Sequence, residues 1–156
     1  MNPAALLVMA NDAFGKDAAA SPRITLRAGE ALEGYKDPPP FDPALDEVTD
    51  IYLERYSGGL TFLDAASWRH YLPRLIEYAV RRFGQFTDVC DALLNSLRPP
   101  DREPPRLASL TPDQERAVTA FLESLAFTES SAHQAFACQV LEEWWIPGAL
   151  YRKRIE

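Results

Sequence analysis

The sequence predicts an all-α fold, a compact irregular bundle of six or seven helices around one long central helix. Apolar residues recur at steps of three and four in several stretches, and residues suited to cap a helix precede those stretches. No two stretches show the alternation that indicates a pair of strands. The 156 residues have single-domain length and are 47% hydrophobic. We therefore predict one helical domain over residues 1–156.

The first part of the chain is predicted to form two short helices. Asn2 is suited to cap the first, which Gly15 ends. Thr25 is suited to cap the second, although the residues beside it could also be extended. Residues 16–23 are predicted to be a loop, and the proline-rich residues 36–43 a connector that cannot be helical.

The next predicted helix begins at an Asp42 cap and is acidic. From Asp37 to Glu54 the chain has six acids and no base. The carboxylates taken as partner-binding residues are Asp46, Glu47, Asp50 and Glu54. On one helix face they could steer a basic protein, whereas the plainer alternative is a solvated face. The face predicted to be buried consists of Leu45, Val48, Ile51, Tyr52 and Tyr56.

The central helix is predicted over about residues 65–83. Asp64 is a good cap, and the apolar residues after it fall on one helix face, in the longest such pattern of the chain. Pro73 interrupts the pattern, because proline cannot donate to the preceding turn and crowds its carbonyl. We predict a helix kinked at Pro73, or two helices of which Pro73 opens the second.

Two helices flank a second proline-rich stretch. Thr87 or Asp88 begins the first of them. Residues 98–106 hold four prolines and five charges and are predicted to be a stiff, exposed linker. Thr111 and Gln114 then form a capping box at the start of a long helix.

The last helix is predicted over about residues 130–146 and ends in two tryptophans. Trp144 and Trp145 lie about 100° apart around a helix, so one can be buried while the other stays partly exposed. A partly exposed tryptophan is a favoured interface anchor, here of a partner or a homodimer, and the alternative is that both are core residues. The tail, residues 149–156, is basic.

No motif of catalysis or metal binding stands out. The two histidines, His70 and His133, are not spaced as metal ligands, and no nucleophile elbow or phosphate-binding loop is present. Cys90 and Cys138 are interpreted as free thiols rather than as a lone disulfide. We expect no catalytic residues, no metal and no cofactor.

The charge and hydropathy exclude further classes. The net charge of −7 argues against a nucleic-acid binder, which would carry a basic surface. No apolar run reaches the length of a membrane span, and the first residues lack the basic start of a secretion signal. We expect a cytoplasmic protein.

Three blocks of the sequence resemble a known family. They read ITLRAGEALEGY, FLDAASWRHYLPRL and LTPDQERAVTAFL, in that order. In this order they are similar to an uncharacterised bacterial family, a domain of unknown function. The chain departs from the family pattern at Gly29, where a helix-favouring residue is expected, and at Glu33–Gly34, where two acids are usual. The resemblance implies one compact helical domain and no particular activity.

The function expected from these observations is binding without catalysis. The best hypothesis is an immunity protein that masks a basic bacterial toxin with its acidic helix. One alternative is a scaffold or regulatory domain that homodimerises through its two adjacent tryptophans. Another is a small-molecule enzyme with a pocket near Pro73, using His70, Asp64 and Tyr71.

Overall fold

The computed structural model describes residues 1–152, and every regular element among them is helical. The all-α prediction is confirmed. The eight α-helices exceed the six or seven predicted, partly because the expected loop after Gly15 holds a helix of its own. They are α1 (Pro3–Ala13), α2 (Gly15–Ala19), α3 (Leu26–Glu33), α4 (Asp50–Tyr56), α5 (Ala65–Arg81), α6 (Asp88–Ser96), α7 (Pro112–Phe127) and α8 (Gln134–Val140). Ser57–Phe62 and Leu107–Ser109 are 3₁₀-helical, and Leu141–Trp145 is π-helical.

The helix starts follow the predicted capping residues. In each case a side-chain oxygen accepts a hydrogen bond from a backbone N–H of the first turn that has no partner within the helix. These caps are Asn2, Thr25, Asp64, Thr87 and Thr111. The last of them completes the expected capping box with Gln114.

Helix α5 has more buried residues than any other helix of residues 1–152. Trp68, Leu72 and Ile76 are each fully buried, and the indole Nε1 of Trp68 donates to Ser96 Oγ at 3.1 Å. The helix packs against α1, α2 and α6. Pro73 lies buried within α5, and the helix continues on both sides of the proline. The bend at Pro73 stays a prediction.

Helix α3 crosses the 3₁₀ segment Ser57–Phe62 with backbone touching backbone. A Cβ placed on Gly29 would lie 2.3 Å from the carbonyl oxygen of Gly59, and one on Gly59 would lie 2.1 Å from that of Leu26. No side chain fits at either position. The departure from the family pattern at Gly29 is therefore a packing requirement of this crossing.

The predicted start of the acidic helix, at an Asp42 cap, is wrong. Residues 43–46 form a turn in which Asp42 Oδ1 accepts from the backbone N–H groups of Ala44 and Leu45. Helix α4 begins only at Asp50, capped by Thr49. The aspartate caps a turn rather than a helix because the chain then directs Asp46 back towards α3.

Residues 98–106 are exposed in part, at residues 100 and 102–105, as predicted, but they are not a free linker. Arg106 is 3% exposed, and the carboxylate of Asp101 accepts hydrogen bonds from the backbone N–H groups of Arg106, Leu107 and Ala108. The segment is thus folded onto the protein. Proline content alone suggested an extended linker because these contacts join residues five to seven apart and leave no periodic signal.

The last helix is shorter than predicted at its start. Helix α8 begins at Gln134, after a turn closed by a hydrogen bond from Ser131 N to Thr128 O. Its end widens into the π-helical turn that carries both tryptophans. Of the predicted basic tail 149–156, residues 153–156 lie outside the described part of the chain.

Candidate functional site

The acidic segment does not form the single stripe that the sequence suggested. The side chain of Asp46 is 0% exposed, whereas the neighbouring Glu47 is exposed. Asp50 is half-buried against α5, and Glu54 is exposed. The four predicted carboxylates therefore divide into two that pair with arginines of the same chain and two that face solvent.

Asp46 is the centre of a buried polar network. Its Oδ1 accepts from Nε of Arg27 at 3.1 Å and from the hydroxyl of Tyr52 at 2.8 Å. Its Oδ2 accepts from Nη2 of Arg27 and from the backbone N–H of Asp42, both at 2.9 Å. These hydrogen bonds replace the water that a buried carboxylate loses. The network joins α3, the turn at 43–46 and α4.

The protonation states suit a structural role for this network. Burial alone raises the pKa of Asp46, but the hydrogen bonds from Arg27, Asp42 and Tyr52 outweigh it, so the pKa lies below its ordinary value. Burial raises the pKa of the Tyr52 hydroxyl well above its usual range. At neutral pH the carboxylate is thus a fixed acceptor and the phenol a fixed donor.

Asp50 ties the start of α4 to the end of α5. Its carboxylate accepts from both terminal nitrogens of Arg81, at 2.8 and 3.1 Å, and from Nη2 of Arg82 at 2.8 Å. The hydrogen bonds from Arg81 and Arg82 lower the pKa of Asp50 to about 2. Two arginines thus neutralise a carboxylate that the sequence assigned to a partner.

Apolar side chains are exposed in the same segment. Phe41 is 46% exposed, Leu45 58% and Ile51 76%. The prediction that Leu45 and Ile51 are buried is wrong: α4 begins late and turns Leu53 inward beside Tyr52, which is buried as predicted. Residues 41–54 therefore present exposed apolar groups together with the exposed carboxylates of Glu47 and Glu54.

The two tryptophans occupy different environments. Trp145 is 6% exposed, and its Nε1 donates to the carbonyl of Leu97 at 2.9 Å. Trp144 is half-buried, and the guanidinium of Arg152 lies 5.1 Å from the centre of its ring. Its Nε1 is buried and has no hydrogen-bond acceptor within residues 1–152. One tryptophan is thus a core residue and the other lies at the surface boundary.

The residues proposed for an enzyme near Pro73 have structural partners. Asp64 caps α5 and pairs with Arg23 at 3.1 Å. The Tyr71 hydroxyl, which is buried, accepts from the backbone N–H of Leu26, and Nδ1 of His70 lies 3.1 Å from the carbonyl oxygen of Asp17. Pro73 itself packs into the interior rather than against a polar pocket. These contacts give no support to a reaction site there.

The sequence missed a concavity formed by the folded-back proline-rich segment. A cleft of about 330 Å³ lies along Asn95, Ser96 and residues 98–102, with Arg106 and Leu107 on its wall. The sequence could not predict this cleft, because residues 98–106 were expected to form an exposed linker, and a linker that contacts no other element forms no cleft. Three arginines face this cleft: Arg98, Arg102 and Arg106.

Both cysteines are free thiols, as the sequence predicted. Cys90 is buried, and burial raises the pKa of its thiol to about 12, which makes it a poor nucleophile at neutral pH. Across residues 1–152 no group of three or more His, Cys, Asp and Glu side chains is arranged to hold a metal ion. In that same part of the chain, none of the helices combines the length and apolar character needed to span a bilayer.

Comparison with known proteins identifies a family. A family of unknown function, DUF6714, matches residues 2–149. No curated protein and no solved structure matches the chain significantly. The resemblance deduced from the three sequence blocks is confirmed, and the chain belongs to DUF6714, a family of unknown function.

Proposed function

We propose that the protein acts by binding a basic protein partner, without catalysis, through the exposed part of residues 41–54. The observation that carries the proposal is the outward placement of Phe41, Leu45 and Ile51 beside Glu47 and Glu54. In its most concrete form, the partner is a bacterial toxin and this chain is its cytoplasmic immunity protein.

The composition of this surface suits a protein partner. Apolar groups at the centre of an interface supply burial, while carboxylates around them give orientation and a fast encounter with a basic surface. Ile51 is the most exposed residue of α4's apolar set, at 76%, so its burial by a partner removes much apolar surface from water. Glu47 and Glu54 keep the partner-facing role that the sequence assigned to them.

Asp46 and Asp50 have a different role in this proposal. Each is held by arginines of the same chain, so neither is free to pair with a partner without breaking its own contacts. They hold the turn and α4 in place behind the exposed side chains. The interface residues are therefore preorganised, which lowers the entropic cost of association.

Coexpression with neighbouring genes tests the proposal. Each gene beside this one in the native genome is expressed in a heterologous bacterium, alone and together with this chain, and growth is recorded. We expect one product to be toxic alone and harmless in the pair. If no neighbouring product is both toxic and neutralised, the immunity function is wrong.

The interface is then tested by calorimetry with the purified pair. A variant combining Ile51→Asp with Glu54→Lys is compared with a matched surface control, Val8→Asp with Glu123→Lys; both apolar positions are exposed. We expect the first variant to weaken binding at least about tenfold and the control to bind like the wild type. Equal affinity of the two variants would place the interface elsewhere.

One observation favours a second function, a scaffold that forms homodimers at its C-terminal end. Next to the half-buried Trp144, the side chains of Ile146, Leu150 and Tyr151 are 38%, 72% and 63% exposed. Light scattering over a range of protein concentrations measures the mass of the particle and so tests for a homodimer. A mass that stays monomeric at high concentration excludes this function and leaves the first unaffected.

A further inference from the structure

The arginine-lined cleft at residues 98–107 carries positive charge that the carboxylates of residues 1–152 do not pair. Arg98 is paired bidentately with Glu143, at 2.8 and 2.9 Å. Within residues 1–152, Arg102 and Arg106 have no carboxylate within ion-pair distance. The cleft is therefore locally cationic in a chain whose net charge is −7.

Arg106 is held in place by backbone carbonyls. Its Nη2 donates to the carbonyl of Leu60 at 2.8 Å, and its Nε and Nη2 both donate to that of Leu63. Its Nη1 takes part in none of these hydrogen bonds. Burial and the nearby charge of Arg102 lower the pKa of Arg106 to about 10, so the group is still a cation at neutral pH.

The acids near the cleft are already committed. The carboxylate of Asp101 accepts from three backbone N–H groups at 2.8 Å, which fixes the turn at Leu107–Ser109. Asp64, the other acid close enough to act on Arg106, pairs with Arg23 and caps α5. The charges of Arg98 and Glu143 neutralise each other. The wall of the cleft then carries two guanidiniums, those of Arg102 and Arg106, and one carboxylate, that of Asp101.

A second concavity continues the first on an apolar side. It measures about 390 Å³ and is lined by Trp144, Tyr151, Glu143 and the same Pro99, Pro100 and Asp101 that line the arginine cleft. Each of the two is within the size range of small-molecule sites. Proline and tryptophan faces suit a flat apolar group, and the buried Nε1 of Trp144 is a donor without an acceptor in the described chain.

We propose that the two concavities together bind a small organic anion with a flat apolar arm. Its carboxylate or phosphate pairs with Arg102 and Arg106, since guanidinium groups recognise both kinds of anion with paired hydrogen bonds. Its arm lies against Pro100 and Trp144. The site goes beyond the proposed protein interface and uses none of residues 41–54.

Titration of the isotope-labelled full chain with defined probes tests this inference. The probes are 2-naphthoate, 2-naphthyl phosphate and, as the uncharged match, 2-naphthalenemethanol. The chain has three tryptophans, so the indole N–H signals are few, and that of Trp144 is assigned with Trp144→Phe. We expect at least one anion to shift the Trp144 signal and to bind at least about tenfold more tightly than the alcohol.

Variants separate this site from general anion attraction. We expect Arg102→Gln to weaken binding of the anion about tenfold and Arg102→Lys to retain more of it. Arg116→Gln, at an arginine whose side chain is 66% exposed on α7, is the matched control and should bind as the wild type does. An unmoved Trp144 signal, equal affinity for the alcohol, or equal binding by Arg102→Gln and Arg116→Gln would each overturn the inference. The stronger of the two anions identifies the headgroup.

Discussion

The carboxylate of Asp46 holds together three parts of the chain that are separate in sequence. It binds α3 through Arg27, the turn through the backbone of Asp42, and α4 through Tyr52. The sequence indicates that Asp46 belongs to an acidic segment, but it suggests a position at the surface. A partner 19 residues away leaves no periodic signal, so the pairing could not be predicted from spacing.

Removing this carboxylate should destabilise the fold strongly. We expect Asp46→Ala to lower the free energy of unfolding by about 3–5 kcal/mol, because the half-buried guanidinium of Arg27 and the buried hydroxyl of Tyr52 both lose their acceptor. Urea denaturation measures the change. Glu47→Ala, next to it but exposed, is the control and should stay within about 0.5 kcal/mol of the wild type. Similar losses for the two variants would contradict the buried network.

His133 makes stability depend on pH near neutrality. Its Nε2 accepts a hydrogen bond from the backbone N–H of Thr87 at 3.2 Å, which requires a neutral ring. Burial lowers the pKa of His133 below its ordinary value of 6.5, and the charge of Asp91 opposes this in part. Below pH 6.5 the unfolded chain therefore binds the proton more readily than the folded one.

The contribution of His133 should be complete above pH 6.5 and be lost as the pH falls towards the folded-state pKa. We expect the slope to reach up to about 1 kcal/mol per pH unit in that window. The measurement is the free energy of unfolding between about pH 5 and pH 8. His133→Gln should flatten the slope, since the amide oxygen accepts from the backbone N–H of Thr87 without titrating. A slope that survives in this variant would show that other groups cause it.

The helix starts differ in how well the sequence predicts them. Every cap that the structure confirms acts within three residues of itself, so the sequence contains all of the interaction. The start of α4 was missed because Asp42 has two local choices, a helix or a turn, and the network around Asp46 decides between them. The sequence pattern therefore predicts a helix start correctly when the contacts that fix this start join residues close in sequence.

The crossing of α3 over the 3₁₀ segment allows us to predict how a methyl group added at Gly29 changes the stability of the protein. We expect Gly29→Ala to destabilise the protein by about 2–3 kcal/mol, because the added Cβ would lie 2.3 Å from a backbone oxygen that cannot move by rotating a side chain. Gly15→Ala is the control: Gly15 is also helical, as the first residue of α2, an added Cβ would have nothing within 4 Å, and the change should be neutral or stabilising by about 0.5 kcal/mol. Thermal and urea unfolding of both variants measure the difference. Equal stability would mean that the two segments move apart at little cost.

For the whole molecule, the fold class was the most predictable property and the surface the least. Apolar periodicity alone indicates helices, and 47% hydrophobic content indicates a core. Which charges reach solvent depends on pairing between distant elements, as the different fates of Asp50 and Glu54 show. Of the four carboxylates that the sequence assigned to a partner, Glu47 and Glu54 are exposed, whereas Asp46 and Asp50 pair with arginines of the same chain. The arginine cleft was not predicted at all.

The contact between Gly29 and Gly59 also limits how the chain can diverge. Neither position can accept a side chain while the other backbone stays where it is, so single substitutions at one of them have no acceptable outcome. A relative that has a larger, helix-favouring residue at the position of Gly29 should therefore have its α3 segment displaced from the 3₁₀ segment. Two positions that are thirty residues apart in the sequence are thus tied to one another by a single backbone contact.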